Sequence, residues 1–387
     1  MTTGRMAVVE RGGALSLYAR APRAAGWVRT PLRSEGRWPS WHPTRDLIAV
    51  SSLSATARTP RSAVEAVPVG DGVTKLLYAS PPGAPPAIAL RIPHYVLWAP
   101  NGNTLSMVVP GAEGLQLALS DVDGAFTGVS VAQAAPMFEA WSPDGRWLAF
   151  HGGQEMRVYD LDDRDSKLLA DDAIGFRAPA FAAAGSVVAF ARPYPPGVEV
   201  VGYDVESGVQ QRLSTFEGGV ALSTIPGSTE VSVALTVEAD AGVFQQLFAI
   251  DTARPGTVRP ILRGPFVAAL WSPLGDRVAV VVPLQTGDGR YAVRVHTADG
   301  AFLAATEGFV PAQDLRTYLG FFDQYSQSHR LWAPGGSGLT ISGRLLSDGV
   351  AASFSSAPTD YVWYWPAERG KPFELVGPGE LAFFATH

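Results

Sequence analysis

The chain has 387 residues, of which 47% are hydrophobic and 17% charged, and its formal net charge is −6. This composition can fill a large apolar core and excludes a wholly disordered chain. The chain is acidic overall and has no run of Lys and Arg residues, so we do not expect nucleic acid as a partner. The absence of cysteine excludes disulfides, thiolate metal sites and a cysteine nucleophile.

No segment has the apolar core of a signal peptide or the roughly 18 consecutive apolar residues needed to cross a membrane. We therefore predict a soluble, cytoplasmic protein with no direct membrane insertion. The mature form of an exported protein would have the same features. The 41 glycines and 31 prolines are spread along the chain, and they predict many turns between short strands.

The two ends of the chain carry complementary parts of one sheet. Three candidate strands precede the first turn motif, at residues 6–9, 15–18 and 27–30. They lack an innermost partner, and residues 381–384 form a candidate strand with no turn motif after it. We predict that residues 1–35 and 378–387 complete a single sheet.

A turn motif recurs between these ends. Its clearest copy runs from Trp141 to Phe150, where Trp ends one strand, Ser-Pro-Asp-Gly forms a tight turn and an apolar run forms the next strand. Pro and Gly supply the backbone angles of such a turn, and the aromatic anchor can fill the space between neighbouring sheets. The anchors, spaced 40 to 61 residues apart, are Trp41, Trp98, Trp141, Phe181, Thr224, Trp271 and Trp332.

The unit from Trp141 to Phe150, followed by the strand Arg157 to Leu161, resembles the repeats of the TolB-like, WD-like β-propeller family. The same unit supplies the propellers of prolyl-oligopeptidase-like enzymes. The resemblance covers almost the whole chain and implies an all-β fold, a single closed propeller of four-stranded blades over residues 1–387. It says little about function, because this unit occurs in proteins with many roles.

Seven anchored blades and one blade split between the termini give eight blades. Seven is the alternative, if the weak copy at Ile225 is a decorated loop. We predict an insertion at residues 306–329, before the last anchored blade, with a helical turn or two between Pro311 and Tyr325. The segments Pro81–Pro86 and Ser353–Pro358 have the composition of loops.

No Gly-x-Ser-x-Gly motif, phosphate loop or dinucleotide motif is present, and we predict no catalytic residue and no cofactor. His94 and His329 precede anchors and are weak metal candidates, since some TolB-like propellers are lyases with a histidine-lined metal site. A structural role is the favoured interpretation of both. The acidic turn Asp160–Asp165 has alternating oxygen ligands that calcium could use, although an acidic hairpin tip is usually just solvated, which is the favoured interpretation.

The segment before Trp332 combines aromatic, amide, imidazole and guanidinium groups, a mixture common at binding surfaces. The segment is therefore predicted to form a binding site. Replacement of residues 311–329 by a Gly-Ser linker would then leave the fold intact and abolish binding. In the alternative, Phe321 and Phe322 pack the insertion onto the ring. Glu139, also beside an anchor, is expected at a surface or edge. The predicted binding residues are Phe321, Phe322, Asp323, Gln324, Tyr325, His329 and Arg330.

These features favour a non-enzymatic protein–protein interaction scaffold, a subunit of a larger bacterial hetero-complex, because loops on rigid scaffolds often bind partners. The alternative is a metal-dependent propeller lyase or hydrolase acting on a sugar or small molecule at the central channel. A third hypothesis, a ligand- or peptide-binding protein of an envelope, requires an export signal.

Overall fold

The computed structural model describes residues 4–20, 26–54, 61–82, 84, 92–173, 177–236, 242–285, 289–345 and 359–386. The fold is all-β and consists largely of four-stranded antiparallel sheets, consistent with a β-propeller. The helices of the described residues are α1 (Gln313–Gly320) and α2 (Phe322–Tyr325). Within those residues, no helix has the length and apolar character required to cross a bilayer.

The strands follow one another with short connections. The first half contains β1 (Arg5–Val9), β2 (Leu15–Arg20), β3 (Trp27–Arg33), β4 (Arg37–Trp41), β5 (Leu47–Ser54), β6 (Arg61–Pro68), β7 (Lys75–Ala79), β8 (Val96–Trp98), β9 (Thr104–Pro110), β10 (Leu115–Asp121), β11 (Val129–Gln133), β12 (Met137–Trp141), β13 (Trp147–Gly152), β14 (Glu155–Asp160), β15 (Asp165–Ala170) and β16 (Ala180–Phe181). The second half contains β17 (Val187–Tyr194), β18 (Gly197–Asp204), β19 (Gln210–Phe216), β20 (Val220–Thr224), β21 (Glu230–Leu235), β22 (Phe244–Asp251), β23 (Val258–Phe266), β24 (Ala268–Trp271), β25 (Arg277–Pro283), β26 (Tyr291–Thr297), β27 (Phe302–Ala305), β28 (Phe309–Pro311), β29 (Leu339–Leu345), β30 (Tyr361–Trp365), β31 (Glu374–Pro378) and β32 (Leu381–Phe384).

The termini share the sheet β3-β2-β1-β32, as the sequence predicts. Met6 lies opposite Phe384 and Val9 opposite Leu381 in the antiparallel register. Five further four-stranded sheets of the described chain take consecutive strands in order: β4 to β7, β8 to β11, β12 to β15, β16 to β19 and β20 to β23. The weak copy at Ile225 thus belongs to a full sheet, β20 to β23, and is not a decorated loop.

The repeated turn has the geometry that its residues predict. In the copy at Trp141, the Gly145 amide donates to the Ser142 carbonyl at 2.9 Å, and the Ser142 amide donates to the Trp147 carbonyl at 2.8 Å. Gly145 has a φ of 73°, a conformation that L side chains rarely adopt. The Asp144 carboxylate accepts the Arg146 amide at 3.1 Å, which closes the turn.

The anchors join each sheet to the one before it. The indole N–H groups of Trp98 and Trp332 donate to the carbonyls of Ser40 and Leu270, each at 3.0 Å. Thr224 replaces the aromatic anchor in its copy, and its hydroxyl donates to the Phe181 carbonyl at 2.8 Å. A small polar side chain therefore makes the same kind of inter-sheet hydrogen bond as the indole.

The last sheet has the order β24-β25-β26-β28-β29-β30-β31, with β27 also paired to β26. It differs from the others because the inner strand beside β29 is interrupted. Both β28 and the short bridge from Trp332 to Leu339 pair with the same strand, β29, at opposite ends of it. The Ala312 amide donates to Ser342 at 2.9 Å, and the Leu331 carbonyl accepts the Thr340 amide at 2.8 Å. Residues 313–330 leave the strand between these two points.

The predicted insertion boundaries therefore change. The excursion spans residues 313–330 and lies inside the inner strand of the last anchored sheet, whereas residues 306–329 before that sheet were expected. The helical turns expected between Pro311 and Tyr325 are present as α1 and α2. Of the expected loops, residues 81, 82 and 84 lie outside strands, and residues 83, 85, 86 and 353–358 lie outside the described part of the chain.

Candidate functional site

Residues 313–330, which we name the plug, lie among the inner strands of several sheets. Helix α2 contacts β12, β20 and β24, and helix α1 contacts β29. The buried side chains of the plug include Leu315, Tyr318, Phe322 and Tyr325. These contacts, with strands of three sheets, place the plug between the inner strands of those sheets.

The Gln324 side chain pairs with the backbone of an inner strand. Its Oε1 accepts the Glu139 amide at 2.8 Å, and its Nε2 donates to the Glu139 carbonyl at 3.1 Å. The inner edge of β12 would otherwise present these two backbone groups to the channel without a partner. The side-chain amide thus replaces one residue of a neighbouring strand.

Asp323 fixes the plug to the segment before β16. Its carboxylate accepts the Ala178 amide at 3.0 Å and the Arg177 guanidinium at 3.3 Å. Arg177 also lies over the Phe244 ring, 5.3 Å from its centroid. Burial raises the pKa of Asp323, and the charge of Arg177 opposes that rise.

An aromatic stack connects the plug to the first anchored sheet. The Tyr325 ring stacks on Trp38 with centroids 4.7 Å apart and on Tyr318 with centroids 5.3 Å apart. The Tyr325 hydroxyl shares a hydrogen bond with Nδ1 of His94. The Tyr318 hydroxyl donates to the His329 carbonyl at 2.9 Å. Burial raises the pKa of both tyrosines, so both hydroxyls remain protonated.

The ring nitrogens of His329 are both occupied within the protein. Nε2 donates to the Trp38 carbonyl at 3.3 Å, and Nδ1 accepts from the Ser328 hydroxyl. Burial lowers the pKa of His329 to about 3 and the pKa of His94 to about 4. Both imidazoles are therefore neutral near pH 7, and His329 has no lone pair left for a metal.

Both weak metal candidates bind groups of the protein, His94 the Tyr325 hydroxyl and His329 the Trp38 carbonyl and the Ser328 hydroxyl. Within the described residues, no three side chains of the His, Cys, Asp and Glu types form a group suited to a metal ion. The acidic turn at Asp160 is also occupied, since Arg146 donates to the Asp160 carboxylate at 2.7 Å. The Asp162 amide donates to the same carboxylate at 2.9 Å, as in an ordinary closed turn.

The predicted binding residues divide into a buried group and one accessible cation. Phe322, Asp323, Gln324, Tyr325 and His329 are at most 1% exposed, so they hold the plug and do not form a surface. Phe321 is partly buried and lies against Phe138, with centroids 6.2 Å apart. The alternative in which the aromatic pair packs the insertion onto the ring therefore describes the structure. Arg330 remains exposed to solvent.

Glu139 also differs from expectation. It was expected at a surface or edge, yet it is fully buried in β12, and both carboxyl oxygens lack a hydrogen-bond partner. Burial raises the pKa of Glu139 to about 8, and the nearby Ser106 hydroxyl offsets this only in part. The carboxyl group is therefore mostly protonated at pH 7.

A cavity of about 370 Å³, which we name the vestibule, lies on the side of the channel where the repeated turns meet. Its wall consists of anchors and turn prolines from several sheets, and its floor consists of plug residues, so the plug closes it at the bottom. Among the residues that the structure describes, no Asp or Glu lines it. The aromatic and proline wall includes Trp98, Pro100, Trp141, Pro143, Phe181, Pro226, Trp271, Pro273 and Trp332, and the floor includes Tyr318, Ser326, Gln327, His329 and Arg330.

Arg330 is the cation of the vestibule. Its guanidinium makes no hydrogen bond, ion pair or ring contact with the residues that the structure describes, whereas Arg37 and Arg177 beside the plug both meet carboxylates. Protein surrounds the guanidinium except where it faces the cavity, and this partial burial lowers the pKa of Arg330. The vestibule therefore combines an apolar wall with one uncompensated positive charge.

Sequence reasoning identified Arg330 but not its setting. A signal for the plug was present, because Leu315, Tyr318, Leu319, Phe322 and Tyr325 follow the spacing of one helix face. That pattern predicts burial of the segment against the ring. The hydrogen bonds to Trp38 and Ala178 carry no comparable signal, because both residues contribute backbone groups to them.

Comparison with solved structures gives propellers and related folds. The chain is similar to TolB from Acinetobacter baumannii, with 16% identity, 88% of this chain and 82% of that chain covered, and a TM-score of 0.40. It is similar to a eukaryotic initiation factor, with 12% identity, 100% and 99% coverage and a TM-score of 0.56. An oligogalacturonate lyase in complex with manganese has 12% identity, 83% and 82% coverage and a TM-score of 0.46.

No protein-family model matches the sequence, and no curated protein matches it. TolB structures are among the solved structures to which the chain is similar. At these identities the likenesses concern the fold. They leave the function to be inferred from the plug and the vestibule.

Proposed function

We propose that the chain is a closed, eight-bladed β-propeller that serves as a non-enzymatic scaffold and binds another protein at the face where the repeated turns meet. This face, the anchor-turn face, consists of residues 42–46, 99–103, 142–146, 182–186, 225–229, 272–276 and 333–338. The proposed partner makes the chain one subunit of a hetero-complex.

The ring is supported by contacts between successive sheets, including the last and the first. The Trp41 indole N–H donates to the Phe383 carbonyl at 3.0 Å, which joins β4 to β32. Thr340 in β29 donates to the Ala382 carbonyl at 3.1 Å, which joins the last anchored sheet to the same strand. The split sheet, the five further four-stranded sheets and the two halves of the β24 to β31 sheet together give eight blades.

The functional proposal rests on one observation: polar side chains of the plug are already bound to other groups of the protein. Catalysis needs acids, bases or nucleophiles that are free to reach a substrate. Asp323 and His329 instead bind the backbone of Ala178 and Trp38, and Tyr325 binds the ring of His94. What remains accessible is a concave apolar wall with one cation, an arrangement suited to holding a partner.

Site-specific photo-crosslinking tests the docking face. A photoreactive residue at Leu274, which is 65% exposed in the turn beside Pro273, would report contacts at the anchor-turn face. The matched control is the same residue at Leu375, which is 53% exposed on the outer strand β31. We expect capture of one protein from the source cells at position 274 and none of it at position 375.

The captured protein must then bind the purified chain in a defined ratio by sedimentation or mass photometry. Capture at both positions, or a protein that fails to bind in the purified system, would contradict docking at the anchor-turn face. Turnover of a sugar or small organic substrate by the purified chain would instead favour the propeller lyase or hydrolase alternative.

A further inference from the structure

The vestibule has the dimensions and the closed shape of a binding site for a small group. Its volume of about 370 Å³ lies in the range of about 300–1,000 Å³ that is typical of ligand pockets. The plug forms its floor, so an occupant enters and leaves by the same mouth. A chain end fits such a blind cavity without distortion, whereas the middle of a chain would have to turn back on itself.

The charge of Arg330 is the feature that selects the occupant. Arg330 reaches solvent through the vestibule, yet protein surrounds the rest of the group, and a cation in such a setting is commonly met by a carboxylate. Two arginines that contact the plug follow this rule, since Arg37 binds Asp314 and Glu380 and Arg177 binds Asp323. Arg330 faces a cavity whose described lining includes no acidic residue, so an external anion would supply the missing charge.

The other lining residues indicate which kind of anion the vestibule would bind. The Trp98, Trp271 and Trp332 side chains offer apolar surface for a hydrocarbon group. Ser326 lines the floor, and its hydroxyl has no partner among the described residues, so it can donate to a second oxygen. One guanidinium and one hydroxyl match a carboxylate, while phosphate sites commonly gather several backbone N–H groups or cations.

We infer that the vestibule binds the α-carboxylate of a polypeptide C-terminus, with Arg330 pairing the carboxylate and the tryptophan wall receiving an apolar side chain next to it. This inference rests on the proposed function, because it assigns the chain end to the docked partner. It goes further by naming the group that the partner inserts and the residue that recognises it.

The four tryptophans around the vestibule provide the readout. The probes are N-acetyl-Ala-Leu-Phe with a free carboxylate, the same tripeptide as its C-terminal amide, and 3-phenylpropionate as a small acid without a peptide. Each is titrated against the full chain while intrinsic fluorescence is recorded. Arg330→Gln removes the cation, Arg330→Lys retains a charge without the forked geometry, and Arg369→Gln makes the same charge change at an exposed site away from the vestibule.

The free acid should bind saturably and the amide about tenfold or more weaker, the loss expected when a hydrogen bond between charged groups is removed. Arg330→Gln should remove that difference, Arg330→Lys should restore part of it, and Arg369→Gln should leave it unchanged. Circular dichroism checks that each variant keeps the fold.

Three results would overturn the inference. The first is that the amide binds as tightly as the acid, the second is that the difference in affinity persists in Arg330→Gln, and the third is that no probe binds. Equal affinity for 3-phenylpropionate and the tripeptide would overturn the assignment to a chain end and point to a small carboxylic acid. A partner still captured at position 274 with unchanged affinity for Arg330→Gln would leave docking at the anchor-turn face standing while this inference fails.

Discussion

Gln324 and Glu139 form a two-point hydrogen bond in which a side-chain amide pairs with the backbone of an inner strand, at 2.8 and 3.1 Å. Residues 185 positions apart in the chain are joined this way. The pairing explains how a mostly helical plug can occupy a channel lined by strand edges. The unpaired N–H and C=O groups of the edge meet a side chain with one acceptor and one donor.

Replacement of this amide should therefore destabilise the protein. Gln324→Ala leaves two buried backbone groups without partners, and we expect a loss of about 2–4 kcal/mol in the free energy of unfolding. Urea denaturation measures it, with Gln211→Ala on the exposed outer strand β19 as the control. A loss of the same size in both variants would mean that the two-point bond contributes nothing particular.

Glu139 should make the stability fall as the pH rises. Its folded pKa of about 8 lies above its ordinary value of 4.5, so the native state holds a proton that the unfolded chain releases. The contribution is complete below about pH 4.5 and is lost by about 1.4 kcal/mol per pH unit as the pH rises towards 8.

Glu139→Gln removes this titration. The variant should gain stability relative to the native protein at pH 8 and gain little at pH 4.5, as measured by urea denaturation across that range. Exposed Glu113→Gln serves as the control. A difference between variant and native protein that does not change with pH would contradict the burial of a protonated carboxyl.

The channel histidines should not titrate near neutral pH. With pKa values lowered to about 3 for His329 and about 4 for His94, their contribution to stability is present above the ordinary value of 6.5 and is lost as the pH falls towards the folded values. Ring ¹H–¹⁵N spectra from pH 5 to 8 should show constant shifts for both residues. The urea-unfolded chain is the control, and a midpoint near pH 6.5 in the folded protein would disprove the buried neutral state.

Thr224 should contribute through its hydroxyl alone. Thr224→Val keeps the shape and removes the donor to Phe181, which leaves that carbonyl unpaired at an expected cost of about 1–2 kcal/mol. The control, Thr127→Val, changes the same group at an exposed position and should cost less. Equal costs would show that the inter-sheet bond at this anchor is dispensable.

Removal of the plug should unfold or strongly destabilise the protein, in contrast to the outcome that the sequence alone predicts for a linker replacement. Leu315, Tyr318, Phe322 and Tyr325 each bury a side chain worth about 1.5–3 kcal/mol. A variant with a Gly-Ser linker in place of residues 313–330 should melt at a much lower temperature in calorimetry. An unchanged melting temperature would mean that the plug is an accessory to a self-sufficient ring.

The fold was more accessible to sequence reasoning than the site. Trp141, Ser142, Pro143 and Gly145 determine a local turn, and local patterns repeat visibly along the chain. The plug depends on contacts between distant residues, such as His329 with the Trp38 carbonyl. A mixture of polar and aromatic side chains is as suitable for filling a polar-edged channel as for binding a partner, and only the three-dimensional placement separates the two.

The shared terminal sheet has a consequence for the order of assembly during translation. Residues 381–384 are synthesised after nearly all the other described residues, yet they supply the inner neighbour of β1 and the carbonyl that receives the Trp41 indole. Strands β1 to β3 are therefore synthesised before the other described strands, and one edge of β1 stays unpaired until β32 is made. We expect nascent chains that stop before Leu381 to remain sensitive to protease, and the addition of the final strand to convert them into a resistant form.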